Sequence, residues 1–112
     1  MHEPLVSVII VNWNGRAYLE DCLGSFFKTS YKKVEVFFVD NASSDDSVAY
    51  VRKNYPRIKI IQNKENLGFA EGHEEAFKRA TGEAILLLSM DTIVAKNLLG
   101  ELVGALYAEK NM

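Results

Sequence analysis

The stretch Glu83-Ala84-Ile85-Leu86-Leu87-Leu88 carries an apolar run that ends abruptly at Ser89-Met90-Asp91-Thr92. A short apolar run bounded by polar residues predicts an interior strand of a parallel sheet, with a carboxylate just past its C-terminal tip. Open α/β sheets bind ligands at that end of their strands. An acid there, flanked by hydroxyl side chains, can hold a divalent cation through oxygen or accept hydrogen bonds from a sugar-like ligand.

Upstream of this run the chain repeats one pattern three times. Leu5 to Val11 is a β-branched strand stopped by Asn12-Trp13-Asn14-Gly15, and Leu19, Cys22, Leu23, Phe26 and Phe27 follow at helical spacing. Val34 to Val39 is a second strand. Its loop, Asp40-Asn41-Ala42-Ser43-Ser44, ends at a Ser44 expected to cap a helix beginning Asp45-Asp46, with Val48, Val51 and Tyr55 inward and Pro56 helping to end it. Ile58, Ile60 and Ile61 mark a third strand. Asn63 to Gly68 leads to a helix with Phe69, His73, Ala76, Phe77 and Ala80 inward and Gly82 placed as its stop. After the fourth strand, Leu98, Leu99, Leu102, Val103 and Leu106 line a last helix, and Glu101 and Glu109 fall on its solvated face.

Strands separated by helices require crossover connections, which are right-handed in nearly all cases. The expected fold is therefore α/β, a three-layer Rossmann-like parallel sheet of four strands with helices on both faces. All strand C-termini then share one rim. Asn12 to Asn14, Asp40 to Ser44, Asn63 to Asn66 and Ser89 to Thr92 converge there although they are far apart in sequence.

The 112 residues suit one domain that buries somewhat over ~60% of its unfolded surface. With 48% hydrophobic and 25% charged residues the chain is globular rather than disordered, and its net charge of -2 gives no case for a nucleic-acid partner. Cys22 is the only cysteine, so no disulfide forms within the chain, and its apolar stripe points to a buried thiol in a reducing compartment. Met1-His2-Glu3-Pro4 lacks the basic start of a signal peptide, and no apolar run approaches the ~20 residues of a membrane span. A cytoplasmic location is expected, at the inner face of the membrane if a longer protein supplies the attachment.

Each rim cluster has a ligand-binding and a structural reading. Trp13 can stack on a nucleobase or fold over the sheet edge as core. Asn12 and Asn14 can read base or ribose edges, though asparagine is also a common turn former. Asp40 is the acid best placed to accept from base N–H or ribose hydroxyl groups, whereas Ser43, Ser44 and Asp45 read as helix-capping residues. Asn66-Leu67-Gly68 offers close backbone approach and a helix N-terminus for a phosphate. His73 reads as a hydrogen-bonded core residue, and no Cys/His cluster suggests zinc. The Gly-x-Gly-x-x-Gly of dinucleotide-binding units is absent, as are the phosphate-binding loop, the nucleophile elbow and metalloprotease signatures.

Taken together, Val6 to Gly15, Val39 to Asp45, Asn66 to Ala70 and Leu86 to Thr92 resemble the inverting family 2 glycosyltransferases, most closely their rhamnosyltransferase-like branch. The resemblance spans nearly the whole chain in the family's order. It implies the N-terminal half of a GT-A fold, residues 1–112 forming the nucleotide-sugar-binding half without the acceptor-binding half. It implies a Mg2+ or Mn2+ cofactor, UDP- or dTDP-linked sugars as expected donors, and a role in cell-envelope polysaccharide synthesis. Trp13 then packs against the base. Asp40 and Asn41 read base or ribose, Asn12, Asn14, Asn66 and Gly68 line the donor, and Ser89-Met90-Asp91 takes the family's Asp-x-Asp position, with Asp91 as metal ligand. The chain departs at Ser89, where the family has Asp or Asn, and at His73, where close relatives often have Asn.

Inverting transfer needs a general base on the acceptor hydroxyl. No residue here is assigned that role, so the catalytic set is expected in a half that also binds a saccharide or lipid-linked acceptor. The chain is expected to be a fragment, shortened artificially or in nature, that binds donor but transfers little alone. The alternative is a non-catalytic interaction module that kept the fold and lost its ligand; a response-regulator-like domain lacks the acid pair after its first strand. Self-association is expected, because the fourth strand and last helix would leave an apolar edge.

Overall fold

The computed structural model describes residues 3–110. Four strands, β1 (Val6–Asn12), β2 (Val34–Asp40), β3 (Lys59–Gln62) and β4 (Ala84–Ser89), form one parallel sheet in the order β3-β2-β1-β4. Five helices connect and follow them: α1 (Arg16–Phe26), α2 (Ser47–Asn54), α3 (Gly68–Gly72), α4 (Glu74–Arg79) and α5 (Leu98–Lys110).

The period of two along each strand divides the sheet residues between two cores. Val8, Ile10, Phe38 and Leu88 pack with Leu19, Leu23 and Phe26 of α1, Val51 of α2 and Leu99 and Val103 of α5. Ile9, Val11, Phe37, Val39 and Ile61 pack with Ala76 of α4 on the other face. The expected three layers are present. All of β1 is buried because both of its faces are covered.

The chain steps outward from β1 to β2 to β3 and then returns to the other side of β1 for β4. The topological switch point therefore lies between β1 and β4, and their C-terminal ends, Asn12 and Ser89, flank it.

Several sequence expectations need correction. β4 is an edge strand, not an interior one: Leu88 is buried, but Ile85 and Leu87, on the face that α4 covers over the other strands, are 44% and 42% exposed. The helix after β3 is broken at His73, so Phe69 and Phe77 stand largely in solvent while His73 and Ala76 are buried. Phe27, Leu102 and Leu106 are likewise exposed. Ser44 does not cap α2, whose N-cap position is Asp46; the Asp45 carboxylate accepts from the Ser47 backbone N–H at 3.0 Å instead. Gly82 acts through proximity: a Cβ there would lie 2.6 Å from the Ser7 backbone nitrogen and 2.8 Å from the Leu5 carbonyl oxygen. Glu101 is exposed as expected, whereas the side chain of Glu109 lies outside what the structure describes.

Candidate functional site

The rim is built first by register. Asn12 and Asp40 are partners at the ends of β1 and β2, Asp40 and Gln62 at the ends of β2 and β3, and Val11 and Ser89 across the switch point. Backbone bonds carry this order into the loops, from the Asn41 N–H to the Asn12 carbonyl and from the Asn63 N–H to the Asp40 carbonyl, both 2.8 Å.

Asp40 is buried and held by three donors. Asn12 Nδ2 donates to its Oδ1 at 3.0 Å, Ser43 Oγ to the same oxygen at 2.7 Å, and the Ser43 backbone N–H to its Oδ2 at 2.9 Å. Because Nδ2 must face the carboxylate, the Asn12 amide is fixed with Oδ1 pointing away, and that oxygen is buried with no partner among the described residues. A Cβ at Gly15 would meet it at 2.4 Å and Met90 Cγ at 2.6 Å, so only glycine fits where α1 approaches the end of β4.

Asn14 adopts φ 50°, and its Oδ1 accepts from the Ser44 and Asp45 backbone N–H groups at 2.7 and 3.3 Å. Asn41 is buried and ties two more loops: its Nδ2 donates to the Gly68 carbonyl at 3.1 Å and its Oδ1 accepts from Asn63 Nδ2 at 2.8 Å. Asn66 forms a local turn by accepting from the Gly68 N–H at 2.9 Å, and Gly68 itself has φ +80°. These side chains of Asn12, Asn14, Asn41 and Asn66 thus shape the rim through their own hydrogen bonds. Asp45 joins them, its carboxylate also accepting from the Arg16 backbone N–H; burial acts to raise this acid, but the bonds from Ser47 and Arg16 outweigh it and hold it low.

Trp13, Ser89 and Asp91 are exposed on the rim. Trp13 is 52% exposed, which rules out its reading as core. Ser89 Oγ donates to Asp91 Oδ1 at 2.5 Å, and both residues are exposed. His73 is buried between the Phe69 and Phe77 rings, with its Nε2 unpartnered among the described residues.

Sequence reading missed what holds the β4 turn from behind. Cys22 Sγ donates to the Ser89 carbonyl at 3.7 Å, Ser25 Oγ accepts from the Val94 N–H at 2.8 Å, and Thr29 Oγ1 donates to the Lys96 carbonyl at 2.9 Å. Burial, and secondarily the Asp91 charge, pushes the Cys22 thiol up to about 11, so it stays a neutral donor at ordinary pH. The available signal was the 3-4 spacing of 22, 25 and 29, although only Cys22 and Ser25 lie within α1 and Thr29 follows its end.

Among the described residues no three His, Cys, Asp or Glu side chains gather as a protein cage for a metal. The donor set of Asp91 and Ser89 fits a hard cation that takes most of its oxygens from ligand phosphates and water. Two clefts lie elsewhere, one of about 460 Å³ among Phe26, Tyr31, Val36 and Ile58 and one of about 900 Å³ among Asp21, Tyr50, Tyr55 and Ile93. Neither is lined by Trp13, Asp40 or Asp91.

The four-stranded parallel sheet with this order and rim matches glycosyltransferases of the GT-A fold. It is similar to a mannosyltransferase from Pyrobaculum calidifontis solved with GDP-Man and Mn2+, with a TM-score of 0.84 and 28% identity over 92% of this chain and 32% of that one. It is also similar to Staphylococcus aureus TarS 1-349 solved with UDP-GlcNAc, with a TM-score of 0.81 and 28% identity over 88% of this chain and 30% of that one. The chain belongs to glycosyl transferase family 2, whose pattern matches residues 7–112. A putative teichuronic acid biosynthesis glycosyltransferase, TuaG of Bacillus subtilis, is 35% identical over 80% of this chain and 36% of its own length. An uncharacterized glycosyltransferase of Haemophilus influenzae is 30% identical over 96% of this chain and 34% of its own. The chain thus spans about a third of the length of these relatives.

Proposed function

We propose that this chain binds a nucleotide diphosphate sugar in the crevice between β1 and β4 and is the donor-binding part of a hexosyltransferase that works with inversion. The observation that carries this reading is the flanking of one switch point by an exposed indole, Trp13, and an exposed acid, Asp91, with the buried Asp40 network beside them. A base stacks on Trp13 while Asp40, acceptor-only when ionised, takes a hydrogen bond from base or ribose. The turn from Asn66 to Gly68 gives the ligand backbone close approach. Asp91, steadied by Ser89, holds Mg2+ or Mn2+, which when bound offsets charge on the diphosphate leaving group.

UDP- or dTDP-linked sugars are the donors this reading favours, and a saccharide or lipid-linked acceptor in cell-envelope synthesis is the other substrate. No side chain of this chain is assigned as the general base, so the isolated chain binds donor and transfers little. Calorimetric titration with UDP, dTDP and GDP, each with and without Mn2+, tests the proposal. Binding that is independent of metal and unchanged by Asp91→Ala would overturn it. Absence of binding to all three at millimolar concentration would instead favour an interaction module that has lost its ligand.

A further inference from the structure

Helix α1 begins immediately after the Trp13-Asn14-Gly15 turn and runs beneath the segment that follows β4. Two side chains of the helix, Cys22 and Ser25, and Thr29 just past its end hold that segment at successive points. Cys22 bonds the Ser89 carbonyl, which also accepts from the Thr92 N–H at 3.1 Å and so closes the turn around Asp91. Ser25 Oγ donates to the Cys22 carbonyl at 3.1 Å and accepts from the Val94 N–H, so its one hydroxyl joins helix to segment. The Lys96 carbonyl takes two bonds, from Thr29 Oγ1 and from the Ser30 N–H. Asp91 therefore lies between a tie at Ser89 and a tie at Val94. Among the described residues its carboxylate accepts one side-chain hydrogen bond, from Ser89 Oγ.

A hydroxyl at Ser25 or Thr29 is not required by helix or core. Helices disfavour serine unless the side chain has a particular partner, and for Ser25, in the last turn of α1, that partner includes the backbone of another segment; Thr29, just past the end of α1, is buried and bonds the same segment. We propose that Ser25 and Thr29, with Cys22, are positioning residues for Asp91. They make α1 a rigid spacer between the Trp13 turn at its N-terminal end and the acidic turn along its side, fixing the separation at which one ligand can engage both. The inference rests on the donor-binding reading for its functional meaning.

The test uses Ser25→Ala, Thr29→Val and the hydroxyl-retaining Thr29→Ser, each first checked for a native circular dichroism spectrum. Two measurements are made: UDP and GDP affinity with and without Mn2+, and amide NMR of the ligand-free chain. The Mn2+-dependent gain in affinity should fall by about tenfold in Ser25→Ala and Thr29→Val, the loss of one well-formed hydrogen bond. Metal-free affinity should stay unchanged, and Thr29→Ser should restore the gain. In the ligand-free spectra the Asp91 amide should shift and the Val94 N–H of Ser25→Ala should lose exchange protection. Equal losses with and without Mn2+, or an unmoved Asp91 amide in natively folded variants, would overturn the proposal. Wild-type protein that binds neither nucleotide with metal would sink the donor-binding reading, while the ligand-free spectra would still decide whether these residues place Asp91.

Discussion

Asn12 Nδ2 donates to Asp40 Oδ1 across 3.0 Å, joining the last residues of two adjacent strands with both side chains buried. The bond fixes which way the amide faces and which acceptors the rim can present. Asn12→Asp keeps the shape and puts a second carboxylate against the first, a pair that cannot both ionise without a large cost. We expect a loss of about 3 kcal/mol at pH 7, read by urea denaturation. The loss should shrink as the pH is lowered and one of the two acids takes a proton.

Glu35 is the acid that secures the opposite end of the sheet. Its Oε2 accepts from Ser7 Oγ at 2.5 Å and from the Thr81 N–H at 2.6 Å, and its Oε1 takes Lys59 Nζ at 3.1 Å, so one carboxylate bonds to β1, β3 and the loop before β4. Burial acts to raise this acid, but the bonds from Ser7, Thr81 and Lys59 outweigh it and bring it down to about 2. A depressed folded-state value means that the stability is present above the ordinary value of 4.5 and is lost as the pH falls from there toward about 2. Glu35→Gln should cost on the order of 2 kcal/mol at neutral pH, the scale of bonds to a charged acceptor. The difference from wild type should close across that acid window in urea titrations; a constant difference would show that ionisation is not its source.

Two glycines should respond to alanine with opposite signs. At Gly82 the new methyl would meet the backbone of Ser7 and Leu5, which cannot step aside without disturbing the start of β1, and a loss of about 1–3 kcal/mol follows. At Gly24, inside α1, nothing lies within 4 Å of the added Cβ, so alanine should gain about 1 kcal/mol from helix propensity. Thermal denaturation of the two single variants reads both signs.

The strands of this fold are legible because their apolar residues are dense and β-branched, and the rim follows from strand-helix alternation without any knowledge of strand order. Order itself is not written in such runs. Ile85 and Leu87 look like interior residues in sequence, yet they stand on a part of the sheet that is left uncovered because α4 packs over β1, β2 and β3 and not over β4. Periodicity also failed after Asn66: a continuous helix would bury Phe69 with His73, whereas the break at His73 turns Phe69 outward. Gly72 sits at that break because a Cβ there would come within 2.9 Å of Asn41 Nδ2. The acidic turn was visible from Asp91 alone. Its support by Ser25 and Thr29 was not, because polar residues near a helix end read as solvated until the segment they hold is placed beside them.

Trp13 is the only tryptophan in the chain, so its emission reports the β1 side of the crevice with no competing signal. The ring is half exposed, and a base stacked on it should quench and shift that emission. Alanine substitution for a stacking aromatic costs about 1–3 kcal/mol per base, so Trp13→Ala should weaken UDP binding by roughly 5- to 150-fold whether or not Mn2+ is present. Asp91→Ala should behave differently, leaving the quench by metal-free UDP intact and removing only the added affinity that Mn2+ brings, because its carboxylate lies on the β4 side of the switch point. The double variant then separates the contributions: losses that add mean that indole and acid engage different parts of one ligand. Tryptophan emission that does not change at saturating UDP, in a protein that binds UDP by calorimetry, would remove Trp13 from the site and move the base elsewhere along the rim.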